Sequence, residues 1–243
     1  MVLIIKKGFK NMNQPLLIAH RGYSQVALEN TMAAFKAAAK AGFQAIETDI
    51  HLTKDRVFVI HHDEDLSRIY RKDLVISKAC HFKIFWSTIF NGYSKRLCTL
   101  KDYLKLCRKH QITAVIELKV PFSKVEIEKL LHFVKKDLKK VVFISFYPEN
   151  LSLLRKCGYI GPMQILSFQP INERLFDLAM DLNADIDIHH NLATQAVIEK
   201  SHGLGITVNV WTVDDKEKAT TLMGHGVDMI TTNGILASDL AVA

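Results

Sequence analysis

The sequence predicts a (β/α)8 barrel carrying an extra antiparallel hairpin strand and an insertion after that strand. Three observations lead there. Short apolar runs alternate with segments of helical period along the chain, the pattern of a parallel sheet with crossover helices. Nine candidate strands are present, and one of them cannot be parallel to its predecessor. The length of 243 residues suits one such barrel, typically about 250 residues.

In chain order the candidate strands are Leu16–Ala19, Gln44–Ile50, Val57–His61, Ile112–Leu118, Val141–Ser145, Met163–Leu166, Asp185–Ile188, Ile206–Trp211 and Val227–Thr231. Amphipathic segments such as Thr31–Ala41, Lys124–Lys136, Asn172–Leu182 and Asp214–Met223 fall between them. Six residues, His51 to Arg56, separate Ile50 from Val57. A parallel crossover needs a dozen or more, so Val57–His61 returns as a hairpin and eight parallel strands remain. A doubly wound open sheet is the alternative. No glycine-rich nucleotide turn follows the first strand, and eight units fill the length. No Pro/Gly/Ser linker divides the chain, so residues 16–243 read as one domain behind a 1–15 extension, with Met12 as an alternative start.

Residues 63–101 form a long excursion within the barrel. Its Phe82–Phe90 stretch is dense in aromatics, as expected of a satellite core on the barrel rim or of an amphipathic contact with a lipid surface. With 49% hydrophobic and 23% charged residues the composition is that of a globular protein. The net charge of +7 fits attraction of an anionic ligand. The basic residues are spread rather than set along one element, which argues against a nucleic-acid binder. Cys80, Cys98, Cys107 and Cys157 form no C-x-x-C pair and no zinc spacing; they read as reduced thiols of a cytoplasmic protein. Met1–Lys7 places its apolar residues before its charges, the reverse of a secretory signal. No stretch reaches the ~20 apolar residues of a membrane span.

In a barrel of this kind the site lies at the C-terminal ends of the strands. There the sequence places His20-Arg21-Gly22, then Glu47 and Asp49, then His61-His62-Asp63, then Glu117 and Lys119, and finally Trp211. Alternation puts Glu47 and Asp49 on one face, and Glu117 and Lys119 on one face. A hairpin turning at Lys54-Asp55 sets Glu47 opposite His62 and Asp49 opposite Ile60, so His62 rather than His61 joins the acidic face. A slip of one residue exchanges the two histidines. Three carboxylates at one mouth repel, at roughly 4 kcal/mol per pair for ~4 Å and an effective dielectric of about 20. They need a cation, and an all-oxygen set of Glu47, Asp49 and Glu117 suits Mg²⁺ or Ca²⁺. Arg21 and Lys119 suit that charge or a phosphate. Two histidines beside such a site suit a general acid and base.

These residues stand in a recognisable order. Ile18-Ala-His20-Arg21-Gly22, Glu29-Asn30-Thr31, Glu47-Thr-Asp49, Ile60-His-His62-Asp63, Ile116-Glu117-Leu-Lys119 and Val208-Asn-Val-Trp211 resemble the glycerophosphodiester phosphodiesterase family over about Leu16 to Leu240. The resemblance implies a metal-dependent barrel hydrolase that splits a small glycerophosphodiester into glycerol 3-phosphate and an alcohol. By position it implies His20 and His62 as acid–base groups and Glu47, Asp49 and Glu117 as metal ligands. It further implies Arg21 and Lys119 as phosphate contacts, and Trp211 on the glycerol side. A lysophospholipase D-like activity is the neighbouring alternative, and a silent phosphate-binding scaffold a more distant one. The chain departs from the family at Asp55-Arg56, where Asp-Gly is usual, at Arg68–Lys72, at Cys98-Thr99-Leu100, and at Thr232-Asn233-Gly234, where Thr-Asp and a proline are common.

Overall fold

The computed structural model describes residues 14–89, 96–137 and 140–240; Met12 and Phe90 lie outside them. The elements run β1 (Leu16–Ala19), α1 (Met32–Lys40), β2 (Ala45–Leu52), β3 (Phe58–Ile60), α2 (Ser67–Tyr70), α3 (His81–Ile89), β4 (Cys98–Thr99), α4 (Leu100–His110) and β5 (Thr113–Leu118). They continue as α5 (Lys124–Val134), β6 (Val141–Ser145), α6 (Pro148–Lys156), β7 (Met163–Ser167), α7 (Glu173–Asp181), β8 (Asp185–His189), α8 (Gln195–Gly203), β9 (Val208–Trp211), α9 (Lys216–His225) and β10 (Met229–Thr232). Eight strands follow one another in parallel as β1-β10-β9-β8-β7-β6-β5-β2, and β1 pairs with β2 to close the ring. None of the described helices is long and apolar enough to cross a membrane.

Two layers of core hold the ring. Helix residues such as Phe35, Tyr103, Leu130 and Leu151 pack on its outer face with the outward-pointing Ile46, Ile50 and Ile116. Leu16, Ile18, Ala45, Val115, Ile144 and Leu166 fill the inside. Helix starts are fixed by side-chain caps: Thr31 accepts from the Ala34 amide, and Ser123 forms a capping box with Glu126. Each cap relieves an orphan amide of the first turn.

The hairpin differs from the sequence expectation in register. Ile50 opposes Ile60, His51 opposes Val59 and Leu52 opposes Phe58, one residue away from the Asp49–Ile60 pairing. The reason is a three-residue loop instead of a two-residue one. The Thr53 amide donates to Val57 O, so Lys54, Asp55 and Arg56 make the turn. Arg56 takes φ +66°, the left-handed last position of such loops. That conformation explains why Asp-Gly is usual there. A second strand also lies outside the ring, since β4 pairs antiparallel with β3. The excursion forms its own core of Val59, Leu66, Tyr70, Ile76, Ala79, Ile84 and Leu97.

Inside the barrel, Asp187 is buried beside Asn209 of the neighbouring strand. Its Oδ1 accepts no hydrogen bond, and burial pushes its carboxyl up to about 8. The folded protein then keeps a proton that the unfolded chain releases near pH 4, so this group lowers stability as pH rises from about 4 to 8. Asp187→Asn removes the titration. The variant is expected to gain on the wild type by at least about 1 kcal/mol between pH 5 and pH 8, one pKa unit being worth about 1.4 kcal/mol. Urea unfolding of both proteins at the two pH values checks this, and parallel curves would refute it.

Candidate active site

Strands β2 and β5 are parallel neighbours, and their register sets Asp49 beside Glu117. Glu47 lies two residues back on the face shared with Asp49. Ligand oxygens of Glu47, Asp49 and Glu117 all lie within 4.8 Å of one another, and all three residues are buried. Oε1 of Glu47 and Oδ1 of Asp49 accept no hydrogen bond. Buried oxygens are normally satisfied, so these two point to a missing partner. A hard divalent cation with oxygen ligands fits this set.

Two cations already sit among the acids. Arg21 donates its backbone amide to Glu47 Oε2 at 2.9 Å and sets its Nε 3.4 Å from Asp49 Oδ2. Lys119 Nζ lies 2.9 Å from Glu117 and 3.5 Å from Asp49. Asn30 donates Nδ2 to Asp49 Oδ2 at 2.7 Å, and its own Oδ1 accepts from the Thr48 hydroxyl, which settles the amide orientation. Burial opposes ionisation of Asp49, but Arg21, Lys119 and Asn30 outweigh it and hold the carboxyl well below the usual range. The other two acids go the opposite way. Burial and the Asp49 charge push Glu117 up to about 8 and Glu47 well above its ordinary value. Without an ion Glu117 therefore keeps a proton near neutral pH, and the surroundings favour the protonated form of Glu47 as well. A bound dication would displace these protons, which ties affinity to pH.

The turn after β1 shapes the approach. Gly22 has φ +83°, and a Cβ there would come within 2.7 Å of Ala34, so this turn requires glycine. His20 Nδ1 donates to Asn233 Oδ1 at 2.8 Å. The Asn233 amide is oriented by its Nδ2 donating to Asp214, while Ser24 also donates to Oδ1. Nε2 of His20 is thus the nitrogen with the free lone pair. Burial, with Arg21 next, lowers the His20 pKa and favours the neutral ring.

Strand parity does not account for where His61 and His62 lie. With the observed register, alternation alone would select His61. Strand β3 ends at Ile60, however, and the pleat no longer governs the residues beyond it. His61 is buried in the excursion, donating Nε2 to Asp65 O and packing on Tyr70. Burial pulls its pKa to about 4. His62 is half-buried, donates Nδ1 to Asp63 at 2.7 Å, and is near enough for its charge to act on Asp49. Burial opposes the Asp63 charge, yet Arg68 and His62 hold that carboxyl down at about 2. Trp211 stands at the end of β9, packing edge-to-face on Phe146 and His189 at 5.5 and 5.4 Å. The acids, Arg21 and Lys119 are in mutual contact; Trp211 belongs to this separate aromatic wall.

Sequence reasoning assigned no role to several supporting residues. Glu29 joins Arg21 to Arg68, and Arg68 reaches Asp63. In the Glu29-Asn30-Thr31 run, Glu29 thus links two arginines, Asn30 clamps Asp49 and Thr31 caps α1. Their signal was present in the ordered motif. Asn233, noted as a departure, positions His20, which an aspartate could also do through an acceptor oxygen.

A closed (β/α)8 ring with three buried carboxylates gathered at the C-terminal ends of two neighbouring strands has the architecture of a barrel enzyme with a candidate cation site. Residues 20–237 match the profile of the Glycerophosphoryl diester phosphodiesterase family, and the chain belongs to that family. It is 29% identical over 231 residues to the putative glycerophosphodiester phosphodiesterase YhdW of Bacillus subtilis, covering 89% of this chain and 93% of that protein. A glycerophosphodiester phosphodiesterase of Caldanaerobacter subterraneus is 29% identical over 242 residues, 90% and 93% of the two chains. The fold is shared with an Oleispira antarctica phosphodiesterase solved with its product sn-glycerol-3-phosphate, at a TM-score of 0.81 and 23% identity, covering 90% and 93%.

Proposed function

We propose that the protein hydrolyses small glycerophosphodiesters to glycerol 3-phosphate and an alcohol with one divalent cation, Mg²⁺ or Ca²⁺, held by Glu47, Asp49 and Glu117. The observation that carries this is the buried three-carboxylate cluster with two unsatisfied oxygens. A cation held there would supply positive charge for the phosphate oxygens. Arg21 and Lys119, held in place by Asp49, contact the same phosphate and stabilise charge as it gathers. Neutral His20 takes the proton of the attacking oxygen at Nε2 as that oxygen bonds to phosphorus. The bond from phosphorus to the alcohol oxygen breaks, and His62, oriented by Asp63, gives that oxygen a proton. Trp211 lines the glycerol side. Free Cys98 and Cys107, both buried, suit a reducing cytoplasm.

A lysophospholipase D-like activity has one observation in its favour. The aromatic wall continues from Trp211 and Phe146 to Phe168, which is 60% exposed and offers an apolar path for a lipid substrate. One assay addresses both activities. The purified protein is given glycerophosphocholine, glycerophosphoethanolamine and lysophosphatidylcholine with Mg²⁺, Ca²⁺ or no metal. Glycerol 3-phosphate is expected in step with free alcohol from the first two. Faster cleavage of the lysolipid would favour the second reading, and no product from any substrate would refute both.

A further inference from the structure

We propose that helix α3 and the basic excursion around it form a docking surface for an anionic phospholipid bilayer, at the end of the barrel that carries the site. Charge distribution comes first. Residues 66–101 hold eight of the 32 Lys and Arg but one of the 25 Asp and Glu, so the rest of the chain carries 24 of each sign. Over the whole 63–101 excursion Asp63, Glu64 and Asp65 offset part of this, leaving eight basic against four acidic residues, so the basic surplus is concentrated in the part beyond Leu66.

The helix within it has two faces. Ile84 and Thr88 are fully buried, Ile84 in the excursion core. Phe82 and Trp86, one turn apart, are 72% and 45% exposed and meet edge-to-face at 5.9 Å. Phe85 lies beside Trp86, with the Arg96 guanidinium over its ring at 5.6 Å. Lys83 sits between the two exposed rings in sequence and is itself exposed, as are Arg71, Lys72 and Lys78. Among the described residues, none of these four cations pairs with a carboxylate. Exposed aromatics amid unpaired cations match a bilayer interface, where rings sit at headgroup depth and lysines meet acidic lipids. A second copy is disfavoured as occupant, because two faces of the same strong charge repel.

Placement gives the docking a use. The His81 amide donates to Asp55 Oδ1 at 2.7 Å, and the Lys54 amide to Ala79 O at 3.0 Å. Lys54 and Asp55 form the loop beyond the C-terminal end of β2, the end at which Asp49 and Glu117 lie. Arg68, from the same excursion, holds Asp63 and Glu29 of the site. A bilayer bound at α3 therefore lies near the mouth. This use rests on the phosphodiesterase reading; the binding does not.

The test is flotation of the full chain with vesicles of phosphatidylcholine alone or with about one-third phosphatidylglycerol. Wild type is expected to float with the anionic vesicles and to be released by salt, since each cation near such a surface is worth roughly fivefold in partitioning. Phe82→Ser with Trp86→Ser, and separately Lys78→Glu with Lys83→Glu, are expected to lower the bound fraction at least about tenfold. Both double variants are expected to keep wild-type turnover of soluble glycerophosphocholine. Wild type that ignores anionic vesicles would overturn the proposal, as would serine variants that float equally well. So would size-exclusion data showing that the serine variants turn a dimer into a monomer. Flotation without turnover of any soluble diester would leave the docking standing and sink the phosphodiesterase reading instead.

Discussion

His62→Ala is expected to lower glycerophosphodiester turnover at least about a hundredfold, the usual floor for losing a general acid or base, with the fold intact. The ring is half-buried and packs little, so its removal leaves no core cavity; its Nδ1 is tied to Asp63. His20→Ala is expected to cost as much, but through the opposite proton transfer. His20 Nδ1 is bound to Asn233, and burial with Arg21 beside it favours the neutral ring. That leaves Nε2 to accept a proton. The two roles separate with an activated leaving group. On a nitrophenyl diester, which departs without a proton, His62→Ala is expected to regain most of its rate, and His20→Ala is not. Steady-state rates of both variants on choline and nitrophenyl esters, with circular dichroism to confirm folding, check this. A folded His62→Ala with wild-type turnover of the choline ester would contradict its role.

Divalent cation is expected to have the second large effect. Chelation should abolish turnover and added Mg²⁺ or Ca²⁺ restore it. Independently of activity, cation at about one hundred times its Kd stabilises the folded chain by roughly 2.7 kcal/mol. For a chain of this size that raises Tm by about 5–10 °C. Glu47→Gln is expected to lose most of the rise. Its effect on the ion-free protein should be small, because burial and the Asp49 charge already favour the protonated carboxyl. In the wild type the shift should grow from pH 6 to pH 8.5, as the protons on Glu47 and Glu117 become easier to displace. Differential scanning fluorimetry with and without metal measures all of this. An equal shift in wild type and Glu47→Gln would place the ion elsewhere.

Much of this architecture was legible in the chain because its signals are local and periodic. Alternation put Glu47 and Asp49 on one face. The six-residue gap before Val57 forced a hairpin, and eight repeats implied closure. Less legible were features set by backbone detail. The hairpin register turned on whether the loop held two or three residues, a choice made by Arg56 entering the left-handed region. The choice of His62 over His61 rested on a register that the hairpin does not have, and parity does not reach either residue because the strand ends at Ile60. The Asn233–Ser24 support of His20 links residues 209 positions apart, and no local pattern announces such a pair. Asp187 reads as one more polar residue in a strand until the closed ring buries it.

Anomalous scattering from a crystal soaked in Mn²⁺ tests the central claim most directly. One strong peak is expected within about 2.5 Å of an oxygen from each of Glu47, Asp49 and Glu117, with His20 and His62 facing it. A peak away from these three carboxylates, or none at saturating metal, would contradict the account.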